Sequence, residues 1–303
     1  MILCCGESLI DMLPRTSTLD EPAFAPHTGG AVYNTAIALG RLEAPAGYFG
    51  GLSSDMFGQL LEADLVASKV DTAVAPRSDR PTTLAFVTLK DGHATYAFYD
   101  ENTAGRMLAQ SDLPAVPAAV TALFFGGISL PVEPCGDTYA ALAIREADSR
   151  LIMIDPNIRP GFIRDEARYR ARLDRMLAVA DVVKVSDEDL VWLTGGTDPK
   201  ALTDKGVGLV LMTRGGEGVL AQNAEGSLDL PTTKVEVVDT VGAGDTFNAG
   251  MLAGLHQQGL ATKQAFKQAT LADLEPAIAL GMRAAAVTVS RAGANPPWAH
   301  ELA

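Results

Sequence analysis

Basic residues are in short supply: 24 Lys and Arg stand against 37 Asp and Glu, a formal charge of −13 over 303 residues. So acidic a surface repels polyanions, which argues against nucleic acid and anionic membrane as partners. Cysteine is scarcer still. Cys4, Cys5 and Cys135 form no Cys-x-x-Cys pair and are joined by only four histidines, so neither a zinc site nor a disulfide framework is expected. Neighbouring cysteines in an apolar strand do not easily bridge each other, and a reducing, cytoplasmic setting follows. No run nears the roughly 18 apolar residues of a membrane span, and no basic segment precedes residues 1–5, so an untargeted soluble protein is expected. Two phosphate-binding motifs are missing as well. A Walker A loop needs a Gly-Lys pair, which occurs nowhere, and a dinucleotide fingerprint starting at Gly242 needs a glycine where Phe247 stands.

What is present suffices for a large core, with 48% hydrophobic and 20% charged residues. Strand-like and helix-like stretches alternate throughout, with no repeat or low-complexity linker, which favours one α/β domain over residues 1–303. Residues 1–5 read as a strand buried on both faces. Residues 12–27 contain Pro14, Pro22 and Pro26 and no helical period, so they read as extended segments leaving the main body. Gly29-Gly30 opens a small-residue helix reaching Gly40. A strand at 48–51, a cap at 53–55 and a helix turning Phe57, Leu60, Leu61 and Leu65 inward come next. Asp91-Gly92 is a hairpin signal between 82–89 and 93–99, whose Leu84, Phe86, Tyr96 and Phe98 alternate as one apolar face. Strands are expected at 123–127, 151–155, 181–185 and 210–213. A helix turning Tyr169, Leu173, Met176 and Leu177 inward precedes the third. Residues 277–286 read as helix and 287–290 as a closing strand.

The most informative stretch is 234–255, KVEVVDTVGAGDTFNAGMLAGL. Residues 234–238 are β-branched and alternating, Gly242 and Gly244 permit a tight turn, and Phe247, Met251, Leu252 and Leu255 recur at helical spacing: strand, turn, helix. A helix starting at such a turn offers unpaired N–H groups and the positive end of its dipole, a seat for phosphate oxygens. Asp245 beside that seat has two readings. It is an N-cap after a glycine turn, or a base that takes a proton from a hydroxyl attacking the phosphate.

Asp239, Thr240, Gly242, Ala243, Gly244, Asp245 and Phe247 together resemble the Asp-Thr-x-Gly-Ala-Gly-Asp signature of ribokinase-like (phosphofructokinase B) sugar kinases. Nearly the whole chain carries the resemblance. It implies a three-layer α/β/α fold with a mostly parallel central sheet and a small β-sheet lid from about 12–27 and 82–99, which also pairs two subunits. Glu7-Ser8-Leu9-Ile10-Asp11 is similar to the opening of bacterial fructokinases, where the residue matching Asp11 holds sugar hydroxyls. Read alone, Asp11 is a solvated strand-end acid. Gly29, Gly30 and Asn34 resemble the family's Gly-Gly-Ala-x-x-Asn sugar element, although Asn34 equally suits bonding to local backbone. The resemblance adds Phe98 to the sugar site. Where many relatives have Arg this chain has Asp100, which weighs against recognition of a sugar acid.

Asp155-Pro156-Asn157-Ile158-Arg159 resembles the family's Asp-x-Asn-x-Arg element, placing Asn157 at the sugar and Arg159 at the sugar or transferred phosphoryl. A surface salt bridge is the plain alternative for Arg159. Ser186 and Asp189 match an element that serves Mg²⁺ through water. Glu188 is a substitute, and a solvated acidic helix start is the alternative. Lys184, Ser186, Thr213 and Gly216 correspond to ATP contacts, though Gly215-Gly216 by itself reads as a hairpin. Asp239 and Val241 match a monovalent (K⁺) cation site. The implied activity is ATP-dependent phosphorylation of a sugar, fructose foremost, with ribose, a nucleoside or 2-keto-3-deoxygluconate as alternatives. A sugar sensor without turnover is the alternative of another class.

Overall fold

The first strand, β1 (Ile2–Cys5), is buried along its whole length, as a strand covered by helices on both faces must be. A computed structural model describes all residues except Asp91, Gly92, Thr233 and Ala303, so the expected Asp91-Gly92 turn lies outside the described residues. The chain continues through β2 (Leu9–Thr16), β3 (Pro22–Gly29), α1 (Ala31–Arg41), β4 (Ala46–Phe49), β5 (Leu52–Ser53), α2 (Met56–Ala67), β6 (Val70–Asp71) and β7 (Arg77–Ser78). Next come β8 (Leu84–Lys90), β9 (His93–Tyr99), β10 (Ala122–Gly126), α3 (Cys135–Glu146), β11 (Leu151–Asp155), α4 (Glu166–Leu177), β12 (Val182–Ser186) and α5 (Asp187–Thr194). The last third adds α6 (Lys200–Thr203), β13 (Leu209–Thr213), β14 (Val219–Gln222), β15 (Ser227–Leu230), α7 (Ala243–Gln257), α8 (Lys263–Gln268) and α9 (Leu271–Val289).

The main sheet has the order β15-β14-β13-β12-β11-β10-β1-β4-β6, parallel from β13 to β6, with β14 and β15 antiparallel at one edge. Period-two alternation sends Ile2, Cys4, Phe124, Met153 and Leu211 to one face, under α1, α7 and α9. Leu3, Cys5, Phe125, Ile152 and Val210 go to the other, under α3 and α4. The result is the expected three-layer α/β/α architecture. Cys4 and Cys5 face opposite cores as free thiols, and burial pushes both pKa values up. A second sheet, β3-β2-β8-β9, stands apart from the first; β2 and β8 run parallel and the other pairs antiparallel. Tyr169, Leu173, Met176 and Leu177 face inward on α4 as expected, and Asp55 caps α2 by accepting from the Phe57 and Gly58 N–H groups.

Several expectations are corrected. Residues 234–238 form no strand: they find no ladder partner, Val235, Val237 and Val238 are exposed, and the Val238 and Asp239 N–H groups share the Val289 carbonyl. Residues 287–290 are no closing strand either, because α9 runs on to Val289, where the Thr288 hydroxyl donates to Ala284 O and the Thr246 hydroxyl. Leu60 points outward. The register pairs Leu84 with Tyr99 and Ala85 with Phe98, so Tyr96 and Phe98 lie on the face opposite Leu84 and Phe86. Asp11 is not at a main-sheet strand end but inside β2 of the small sheet.

Candidate active site

Parallel strands end on one side of a sheet, and loops after β11, β12 and β13 open there onto a cleft of about 1330 Å³. That exceeds the roughly 300–1,000 Å³ of common single-ligand pockets, leaving room for two ligands end to end. Asn157 and Arg159 line it from the β11 loop, Lys184 and Ser186 from β12, Glu188 and Asp189 from α5, and Thr213 from β13. Gly242, Gly244 and Asp245 line it from the head of α7, and Gly30 and Asn34 from α1. The small sheet contributes Asp11, Tyr96 and Phe98. Phe98 also meets Phe162 edge to face, with ring centroids 4.4 Å apart, so the small sheet touches the loop that carries Arg159.

The head of α7 removes the capping reading of Asp245. Gly242, at φ +76°, is the N-cap; Asp245 is the third helical residue and caps nothing. Its Oδ2 instead accepts from Asn34 Nδ2 at 2.9 Å, so Asn34 does not bond local backbone. The Thr35 hydroxyl donates to the Asp245 carbonyl at 3.2 Å, fastening α1 to α7. Among the described residues the Gly244 and Asp245 N–H groups have no acceptor, the usual condition of first-turn amides. Burial pushes the Asp245 carboxyl up to about 7. The Asn34 bond and Lys184 oppose that rise, while the charges of Asp155 and Glu7 add to it. A carboxylate poised there can accept a proton from an alcohol near neutral pH.

Beneath Asp245 lies a buried polar cluster. Lys184 Nζ donates to Asp155 Oδ2 at 3.1 Å, and Asn248 Nδ2 donates to the same oxygen at 2.7 Å. A Cβ at Gly244 would stand 3.0 Å from the ammonium, so the absence of a side chain there lets Lys184 approach the helix start. Burial works against the Lys184 charge, but Asp155 and then Asp189 outweigh it and raise its pKa. A cation at the positive end of a helix strengthens the anion seat.

Asp189 Oδ2 accepts from Ser186 N–H at 3.1 Å and the Ser186 hydroxyl from Asp189 N–H at 3.0 Å, a capping box; Asp189 Oδ1 accepts from Ile158 N–H at 2.9 Å. Glu188 is exposed to the cleft. Arg159 makes no salt bridge among the described residues, which sets aside the surface-pair reading; its Nη1 donates to the Ile158 carbonyl. Asp11 is half-buried, with its carboxyl pushed up to about 6 by burial. A Cβ at Gly29 would meet Asp11 Oδ2 at 2.4 Å, so Gly29 makes room for that carboxylate and does not itself line the cleft. Ala243, Gly216 and Asp239 are also outside the lining. Gly216 sits in the hairpin between β13 and β14, and Asp239 accepts from the Val241 and Gly293 N–H groups. Val241 does reach the cleft. Among the described residues no cluster of three or more acidic, His or Cys side chains is placed to hold a metal ion, and no helix is long and apolar enough to cross a membrane.

The sequence reading passed over Glu7, Asn248 and Arg106. Glu7 is buried and accepts from Ala31 N–H at 3.0 Å and Ser129 N–H at 3.3 Å, fixing the start of α1; burial raises its pKa. An acid directly after a buried strand, and an Asn three residues beyond Asp245 on one helix face, are the signals that point to the first two.

A fructokinase of Rhizobium leguminosarum bv. trifolii is 53% identical over 268 residues, 87% of this chain and 82% of its own. Among solved structures, a Xylella fastidiosa fructokinase with bound ATP matches with a TM-score of 0.88 at 28% identity, over 99% of this chain and 97% of that one. A Vibrio cholerae O395 fructokinase bound to fructose, ADP and calcium matches with 0.83 at 25%, over 97% and 94%. The pfkB family carbohydrate kinase model spans residues 1–301, and the chain belongs to that family.

Proposed function

We propose that this chain is an ATP-dependent fructokinase, passing the γ-phosphoryl group of ATP to a fructose hydroxyl. The observation that carries the reading is the Asp245 carboxylate, buried beside main-chain donors in a cleft with room for sugar and nucleotide together. Asn34 holds one Asp245 oxygen, leaving the other to take the proton of the acceptor hydroxyl. The amides of Gly242, Gly244 and Asp245, the α7 dipole and Lys184 relieve charge moving through the γ-phosphoryl oxygens, while the Ala243 N–H is taken by the Thr240 carbonyl, and Arg159 contacts the group from the β11 loop. Asp11, Gly30, Asn34, Phe98 and Asn157 hold the sugar, with Gly29 admitting the Asp11 carboxylate. Ser186 and Thr213 face the nucleotide, and Gly216 lies in the turn that follows β13.

ATP brings Mg²⁺, which neutralises phosphate charge when bound. Both Asp189 oxygens accept backbone N–H groups while Glu188 stands open to the cleft, so Glu188 fits a water-mediated contact and Asp189 shapes the turn that presents it. For K⁺, Asp239 already ties the 241 and 293 segments together and keeps lone pairs that would serve a cation, with Val241 as the other residue that would hold it. The small sheet is the proposed lid, inserted in one kinase domain, and its outer face pairs with a second copy of the chain. Buried free thiols suit the cytoplasm.

A coupled ATP-consumption assay across fructose, other ketoses, ribose, nucleosides and 2-keto-3-deoxygluconate tests this, with fructose expected to give the highest kcat/KM. A better substrate elsewhere in the panel reassigns the sugar. No ATP consumption with any of them overturns the kinase reading.

A further inference from the structure

The small sheet carries an ion pair on its cleft-facing side that the phosphoryl-transfer chemistry does not use. Arg106 Nη1 donates to Asp100 Oδ2 at 3.2 Å, and Arg106 Nε to the Glu133 carbonyl at 3.2 Å. The Thr83 hydroxyl donates to Asp100 Oδ1 at 3.0 Å. The two charged side chains are 15% and 12% exposed, and both line the cleft, so what remains open faces a ligand.

Strand register places the pair relative to Asp11. Asp11 pairs with Ala85 and Ala85 with Phe98, a row across the sheet; Thr83 and Asp100 lie two residues further along, one step past the ends of β8 and β9, where their hydrogen bond continues the row. Two residues along and two strands across is a separation of roughly 12 Å. A six-carbon sugar of about 6 Å with a hydrogen bond of about 3 Å at each end fills that span.

We propose that the Asp100–Arg106 pair is a specificity element of the sugar subsite, favouring neutral sugars by occupying a guanidinium beside Asp11's sheet that would otherwise receive a carboxylate; Arg164, which also lines the cleft, is likewise held, by Glu101. An unpaired Arg presents a planar fork matched to carboxylate. Paired with Asp100 it carries no net charge, and its spare N–H groups together with the Asp100 oxygens suit hydroxyls, which both donate and accept. An acidic sugar has to break the pair or sit against Asp100 and Asp11. Isosteric Asp100→Asn keeps an acceptor for Thr83 but turns an amide toward Arg106, which releases the guanidinium into the cleft.

This inference rests on the sugar kinase reading above. The experiment measures kcat/KM for fructose and for 2-keto-3-deoxygluconate, or the competitive inhibition constant of the acid where its turnover is too slow. The proteins are the wild type, Asp100→Asn, Arg106→Gln and the double variant. The acid-to-fructose preference is expected to rise at least about tenfold in Asp100→Asn and to return to the wild-type value in the double variant. An unchanged ratio in Asp100→Asn, or a rise that persists without Arg106, overturns the proposal. If Asp100→Asn does not fold, Arg106→Gln carries the test: it leaves Asp100 unpaired and is expected to weaken acid inhibition, and unaltered inhibition counts against the pair. Should another neutral sugar replace fructose as the best substrate, the same ratio is taken against that sugar. A wild type that prefers the acid sinks this inference while leaving the kinase reading intact.

Discussion

As the proposed base, Asp245 combines a chemical role with a cost to the fold. Its carboxyl is held near 7 in the native protein against an unfolded value near 3.8, so the folded state keeps a proton that the unfolded chain gives up as pH rises between those values. Stability attributable to this group is therefore intact below about pH 4 and declines through pH 7, by at most about 4 kcal/mol. Asp245→Asn keeps the shape without the buried charge. It is expected to melt several degrees higher than wild type at pH 8 and at the same temperature at pH 4, while turnover falls at least about a hundredfold and ATP still binds. In the wild type kcat/KM is expected to climb about tenfold per pH unit below 7 and level off above it. A melting difference that ignores pH, or wild-type turnover by the variant, removes Asp245 as the base. This residue was legible because its neighbours in sequence, Gly242 to Gly244, are its neighbours in space. Asn34 was legible as a match to the sugar element, but not as a partner of Asp245, which lies 211 positions away. Glu7, Asn248 and Arg106 stayed hidden because their work depends on what other segments bring to them.

Helix α7 holds that carboxylate in place through contacts only small residues allow. A Cβ on Gly250 would lie 2.6 Å from the Gly281 Cα of α9, and one on Gly254 would lie 2.6 Å from the Ala277 Cα. Backbone atoms cannot swing aside as a side-chain tip can, so the helices must separate. Gly250→Leu gains about 0.8 kcal/mol of helix propensity but incurs an overpacking cost of about 1–3 kcal/mol. The clash is expected to win, with a lower melting temperature and a fall in kcat as the head of α7 shifts. Gly226→Ala, where nothing lies within 4 Å, is the control and is expected to change neither. Equal behaviour of the two variants would mean that α7 is not held by close approach. Elements of this kind were readable where periodicity coincides with burial, as on β1 and α4. Residues 234–238 show the limit: alternating β-branched residues satisfy the strand pattern, yet a strand exists only with a ladder partner, and pattern alone does not reveal whether one arrives. The hairpin faces went wrong for a related reason, because parity across a turn depends on the register rather than on either strand.

At the scale of the whole molecule the unresolved demand is the outer side of the small sheet. Phe86 meets Phe24 at 5.0 Å and Tyr99 at 5.5 Å between ring centroids, yet Phe24 is 42% exposed and Tyr99, which also borders the cleft, 64%. Among the described residues, strands β3 and β9 are both edges of that sheet. Exposed aromatics beside open edges call for a cover, and a second copy of the same face supplies one with two-fold symmetry. Against this stands the charge of −13 on each chain, which repels its twin. The two terms respond differently to salt: screening weakens the repulsion and leaves apolar burial in place. The chain is accordingly expected to sediment as a dimer at micromolar concentration, with association tightening from low salt to about 0.3 M. Phe24→Ser is expected to give a monomer whose KM for the sugar rises about tenfold while its KM for ATP barely moves, because the small sheet bounds the proposed sugar end of the cleft. A wild type that stays monomeric at every salt concentration, or a dimer that loosens as salt is added, would place the association elsewhere and leave this sheet to close over the sugar alone.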